Sequence, residues 1–275
     1  MRKSLLGPVL ALLLGLVGFG LRKWELASAF ELSGLVTPWM PATIALGVLS
    51  AVAAVLFFLL ARKGSDGKGG PLAKSSVYMT GMVLSSFLLL ASSLLRWAEF
   101  PGVVREIMDP QTMQASNTML SLVLPPVLAV LGLFTAWAIF SMARTIKKGQ
   151  VPERFTGKAL FPGYFACLWL IFAYQHRNAD PVVQAYLYEL LAIMCLLMAA
   201  YYMASFFFEK PKAARAVFFF LMAAYFSLVT LADGFTLSTA VLFVFAVIYS
   251  LTCAYALLGA DVTGVEHEME GNPNE

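Results

Sequence analysis

The chain has 275 residues, of which 60% are hydrophobic and only 13% charged, with a mean hydropathy of +0.79. A soluble domain carries about 25% charged residues, so this composition excludes a soluble enzyme or binding module and points to an all-α, polytopic membrane helix bundle. The formal net charge of +3 is small, and no basic run interleaves with aromatic residues as a nucleic-acid binder requires.

Eight apolar runs follow one another, at about residues 4–21, 40–61, 76–96, 118–143, 158–175, 184–208, 214–232 and 236–259. Each approaches the roughly 20 apolar residues that a membrane helix needs. Helix is the required conformation, because hydrocarbon offers no partner for a free backbone amide or carbonyl. The runs predict about eight transmembrane helices in a single domain over residues 1–260, followed by a short acidic, disordered cytoplasmic tail over 261–275.

The first run is preceded by Arg2 and Lys3 and followed by RKWELASAFE, residues 22–31. A basic start, an apolar core and the Ala-x-Ala at 27–29 resemble a secretory signal. Arg22, Lys23 and Glu25 immediately beyond the apolar core disfavour cleavage, so the stretch reads as the outer end of a first membrane helix followed by an extracytoplasmic turn.

Basic residues alternate between the connections. Arg2, Lys3, Arg62, Lys63, Lys68, Lys74, Arg144, Lys147, Lys148, Arg154, Lys158, Lys210, Lys212 and Arg215 fall on one side; Arg22, Lys23, Arg96, Arg105 and Arg177 fall on the other. By the positive-inside rule the richer side is cytoplasmic, which places both termini inside. The expected location is therefore a prokaryotic cell membrane, crossed many times.

The third run ends in LLRWAEFPGV, 94–103, which echoes LRKWELASAF, 21–30: a basic residue, a Trp and a Glu close an outward-going helix in both. Asp109-Pro110 and Asp180-Pro181 form a second echo, each ahead of an inward-going run. Together they suggest repeated helical hairpins in parallel orientation. The long outer segment 100–118 carries Val103, Val104, Ile107 and Met108 at helical spacing, which allows a separate short helix on the membrane surface. In the fourth run Pro125 and Pro126 each remove an amide donor, leaving the carbonyls of Ser121 and Leu122 without their usual partners and predicting a helix kink.

The candidate ligand-binding residues are polar groups near the outer boundary: Arg22, Glu25, Arg96, Glu99, His176, Glu189 and Asp233. If the helices bundle, these share one depth and converge on an outward-facing pocket. The competing reading is anchoring, in which Arg22, Trp24, Arg96 and Trp97 reach the headgroups. Glu189 lies inside an apolar run, where a carboxylate must face the bundle interior and either pair with a cation or hold a proton. His176, beside Gln175 and Arg177, reads as a solvated interfacial group that titrates near pH 6.5 when unperturbed.

Cys167, Cys195 and Cys253 lie within apolar runs without Cys-x-x-Cys or His at ligand spacing, so neither a disulfide framework nor a metal site is expected. No nucleotide loop, nucleophile elbow or His-Glu-x-x-His occurs. No catalytic residue and no cofactor is implied. The chain reads as a non-enzymatic protein that binds or moves a small-molecule solute through an outward-facing polar site. The alternatives are a sensory or assembly subunit with a membrane-protein partner and, ranked last, an intramembrane enzyme using Glu189, His176 or Asp233 on a lipid-borne substrate. The bilayer is the constant partner; nucleic acid is not one.

Overall fold

A computed structural model describes residues 2–28, 40–63, 76–108, 118–147, 156–177, 183–205 and 212–270. They form eight helices: α1 (Arg2–Ser28), α2 (Pro41–Lys63), α3 (Ser76–Met108), α4 (Thr118–Lys147), α5 (Thr156–Arg177), α6 (Val183–Ser205), α7 (Ala213–Thr230) and α8 (Leu237–Glu270), with a 3-10 turn at Leu231–Asp233 after α7. All eight contain a stretch long and apolar enough to cross a bilayer. This is the architecture of a multi-pass membrane protein.

Contacts define a ring in which α3, α4, α5, α6, α7 and α8 pack in chain order and α8 closes back on α3. Helix α1 lies along α7 and α8, and α2 packs on α1 and α7. The most enclosed helices are α7 and α8. Leu12, Leu13, Leu16 and Val17 of α1 and Val48, Val52, Val55 and Phe58 of α2 remain exposed, as befits side chains whose solvent is lipid rather than water. Hydrophobic burial does not drive association there, so close backbone approach and dispersion must.

Glycine supplies that approach where helices are nearest. A Cβ at Gly15 would stand 2.4 Å from Leu228 Cδ1, and one at Gly81 would stand 2.2 Å from Thr252 Oγ1. The first contact seats α1 on α7, the second α3 on α8. Inside the ring the filling is aromatic: Trp169 of α5 is fully buried, lies tilted against Phe165 with ring centres 6.1 Å apart and reaches Phe243 of α8 at 5.0 Å.

Two helices run further than their apolar composition indicates. Helix α1 continues through RKWELAS to Ser28, so Arg22 and Glu25 occupy helical positions three apart and face the same way. Helix α3 runs unbroken to Met108 with Pro101 inside it, so residues 100–108 extend the span instead of forming a separate surface helix. One proline deletes a single backbone hydrogen bond, and the helix carries on beyond it. Helix α4 likewise is continuous through Pro125 and Pro126, and Pro126 borders an apolar groove with Val127, Val130, Leu131 and Phe134. At its carboxyl end α8 continues into the acidic segment as far as Glu270. The two Asp-Pro pairs at 109–110 and 180–181 lie outside the described residues.

Candidate functional site

The α7–α8 turn lies at the end of the bundle opposite the one where α1 begins. Its reversal depends on Gly234, which adopts φ +73 and ψ 54 directly after the 3-10 turn, a left-handed conformation that costs glycine little. This geometry places Asp233 on one side of the turn and Ser238 on the other, and each side is gripped by a different helix.

On the first side stands Arg22, the largest charged side chain to be fully buried. Its Nη1 donates to Glu25 Oε2 at 2.7 Å and its Nε to Asp233 Oδ1 at 2.7 Å. Glu25 is wholly buried and the Asp233 side chain is 7% exposed. The guanidinium also lies 5.1 Å from the ring centre of Tyr188 on α6, where the negative ring face attracts a cation. One cation thus joins α1, α6 and the α7 turn. With two carboxylates on one guanidinium, this trio carries a formal charge of −1 when all three are ionised.

On the second side, Glu99 of α3 caps α8. Its Oε1 accepts the backbone N–H of Ser238 at 3.2 Å and its Oε2 accepts the Ser238 hydroxyl at 2.5 Å. A carboxylate here satisfies an amide that the helix cannot and meets the positive end of the helix dipole. Ser92, two turns earlier on α3, donates its hydroxyl to the Ser238 carbonyl at 2.8 Å. Glu99 therefore turns toward α8; it stays within electrostatic reach of Arg96 without a hydrogen bond to it among the described residues. Nine-tenths buried, Arg96 has its guanidinium 4.9 Å from the Phe172 ring centre and donates one long hydrogen bond, 3.5 Å, to Thr239 Oγ1.

Both arginines are buried within the bundle, and the tryptophans beside them are not. Trp24 is 50% exposed and Trp97 42%. In each motif the helix turns the Trp outward and the Arg inward, since residues one or two apart do not share a face.

Of the predicted residues, the fold unites Arg22, Glu25 and Asp233, and sets Arg96 and Glu99 just across the same short turn. Glu189 is buried on α6 next in sequence to Tyr188. His176 belongs to the last turn of α5, with its side chain outside the described residues. Sequence reasoning did not identify Tyr188, Phe172, Ser92, Ser238 or Thr239. These are ordinary span residues by type, and only their proximity to a charge distinguishes them. The one legible signal was the shared Arg-x-x-Glu spacing at 22–25 and 96–99.

Cys167, Cys195 and Cys253 carry no disulfide, and among the described residues no group of three or more His, Cys, Asp or Glu side chains is arranged to hold a metal ion. Fold and buried polar end together define a multi-pass helical membrane protein. No protein-family model, curated protein or solved structure matches the chain, so the site's chemistry rests on these residues themselves.

Proposed function

We propose that the protein binds and moves a small solute through a polar site at the turn end of the bundle, and that the solute carries an anionic group, a carboxylate or a phosphate. The observation that carries this reading is Arg96. A guanidinium has five N–H donors in a planar fork suited to such groups, and burial without partners is costly. Arg22 has two carboxylates hydrogen-bonded to it; Arg96, among the described residues, has a ring face, the charge of Glu99 within electrostatic reach and one long hydrogen bond. An incoming oxyanion would supply what Arg96 lacks, while Arg22, Glu25 and Asp233 hold the wall beside it. Charge placement supports a cytoplasmic location for the end bearing both termini, which turns the site outward in a prokaryotic cell membrane.

The reading is tested by melting the purified protein in mild detergent against a panel of small carboxylates and organic phosphates. At least one should raise the melting temperature in a saturable manner, and uptake of that compound into proteoliposomes should follow. Arg96→Gln should abolish both effects without preventing membrane insertion. A panel without effect on the parent protein, or an effect that persists in Arg96→Gln, would sink the assignment. Glu189→Gln asks separately whether the buried carboxylate of α6 takes part: uptake unchanged from the parent protein removes it from the site.

A further inference from the structure

A cation in an apolar helix is ordinarily matched by a countercharge, as Arg22 is by Glu25 and Asp233. Helices α4 and α5 break that pattern at the end of the bundle that bears the termini. Neither carries an Asp or a Glu anywhere along its length, yet Arg144 closes the apolar span of α4 and Lys158 stands in the first turn of α5. A long cationic side chain at a helix end usually extends freely toward the headgroups. Lys158 is held instead. Its Nζ donates to Ser141 Oγ on α4 at 2.8 Å and lies 4.8 Å from the ring centre of Trp137, which keeps it half-buried between the two helices. An ammonium has three donors, and among the described residues no carboxylate meets this one.

An apolar track leads away from this charge. Val127, Val130, Phe134, Trp137, Ser141 and Arg144 recur at alternating steps of three and four, which places them on one face of α4. The first four are 40 to 57% exposed, and Arg144 is exposed as well. On the same face lies the groove of about 420 Å³ bordered by Pro126, Val127, Val130, Leu131 and Phe134. Its near end, Phe134, is about 10 Å along the axis from Ser141. One leaflet fills about half of the roughly 30 Å hydrocarbon core, so a chain hanging from a headgroup at Ser141 passes Trp137 and ends in the groove.

We propose that this face of α4, with the first turn of α5, binds one anionic phospholipid from the leaflet at the end that bears the termini. The phosphate sits between Lys158 and Arg144, beside the Ser141 hydroxyl, and supplies the negative charge that neither helix provides. Amides at the start of α5 lack intrahelical acceptors and add the positive end of its dipole. One acyl chain runs over Trp137 and its end occupies the groove at Phe134 and Leu131. A headgroup with its own amine brings its own countercharge, so the site prefers a headgroup with net negative charge. This site is separate from the solute site, since Lys158 lies about 21 Å along α5 from Phe172, the ring beside Arg96.

The test uses the full chain, delipidated in a neutral detergent and titrated with phosphatidylglycerol or phosphatidylcholine carrying the same brominated acyl chains, with tryptophan quenching as the readout. Phosphatidylglycerol should quench at about twentyfold lower concentration, and Trp137→Phe should remove the quenching that saturates in that range. Lys158→Gln and Arg144→Gln should each raise the phosphatidylglycerol concentration required about fivefold, the factor expected for one basic residue at headgroup level. Together they should abolish the preference. Lys23→Gln, at an exposed cation of the opposite end, should bind like the parent. Arg144 is exposed, so its substitution reads out binding even where Lys158→Gln fails to fold. Equal potency of the two lipids, or a preference that survives Arg144→Gln undiminished, overturns the site. Free glycerol phosphate at the same concentrations should leave the quenching unchanged; displacement of the lipid by it would show a phosphate site that does not need the acyl chain, and the lipid assignment would fall.

Discussion

The motifs Arg22-x-x-Glu25 and Arg96-x-x-Glu99 have the same spacing, lie toward the same end of the bundle and grip opposite sides of one turn, yet they are wired differently. In α1 the arginine is the hub: Glu25 and Asp233 both bond to it, and the unit is closed. In α3 the glutamate is the hub, committed to the amide and hydroxyl of Ser238, and the arginine has that charge nearby but no carboxylate hydrogen-bonded to it among the described residues. The partner across the turn accounts for the difference. Asp233 offers a carboxylate to a cation, whereas the start of α8 offers amides and a hydroxyl to a carboxylate. Identical local spacing therefore yields a latch on one side and a candidate binding group on the other.

The comparison breaks first at its strongest point. Arg22→Ala leaves two buried carboxylates without their cation and should cost about 3–5 kcal/mol, the range for removing one member of a buried pair. Thermal melting in detergent should fall accordingly, or folded protein should not be recovered. Arg22→Lys retains the charge but loses the planar fork, so it should fall between the two. Asp233→Asn keeps the shape and removes one charge, and a double-mutant cycle with Arg22→Lys should give a coupling of about 1–3 kcal/mol. Additivity there would mean the two groups do not act as a latch.

On the open side, Glu99→Gln keeps an acceptor for Ser238 but gives up the charge at the helix start, a loss of about 1–2 kcal/mol. Arg96→Gln should cost less stability than Arg22→Ala by a clear margin, because it releases a poorly partnered cation instead of stranding two anions. Equal losses at the two arginines would erase the distinction between latch and binding group. The smallest effects belong to Trp24→Ala and Trp97→Ala, which should shift stability by under about 1 kcal/mol while altering how the helices sit at the membrane interface. A large loss at either would show that its ring packs on protein instead of lipid.

The amino-acid sequence by itself determined the membrane class and the number of long apolar helices, because a lipid solvent admits few alternatives: apolar stretches of sufficient length must become helices, and eight were present. It also marked Arg22, Glu25, Arg96, Glu99 and Asp233 as exceptional, since charge in an apolar chain is conspicuous. It misjudged where α1 and α3 stop, because hydropathy reports the end of the hydrocarbon-compatible run while the backbone hydrogen-bond ladder continues through RKWELAS and beyond Pro101. Only the tertiary structure decided that both arginines turn inward while their tryptophans face out, for the two choices present the same composition and differ by a rotation of the helix. Which neighbour each polar group meets depends on how helices distant in sequence pack, and that is set by glycine contacts and aromatic filling summed over the whole bundle.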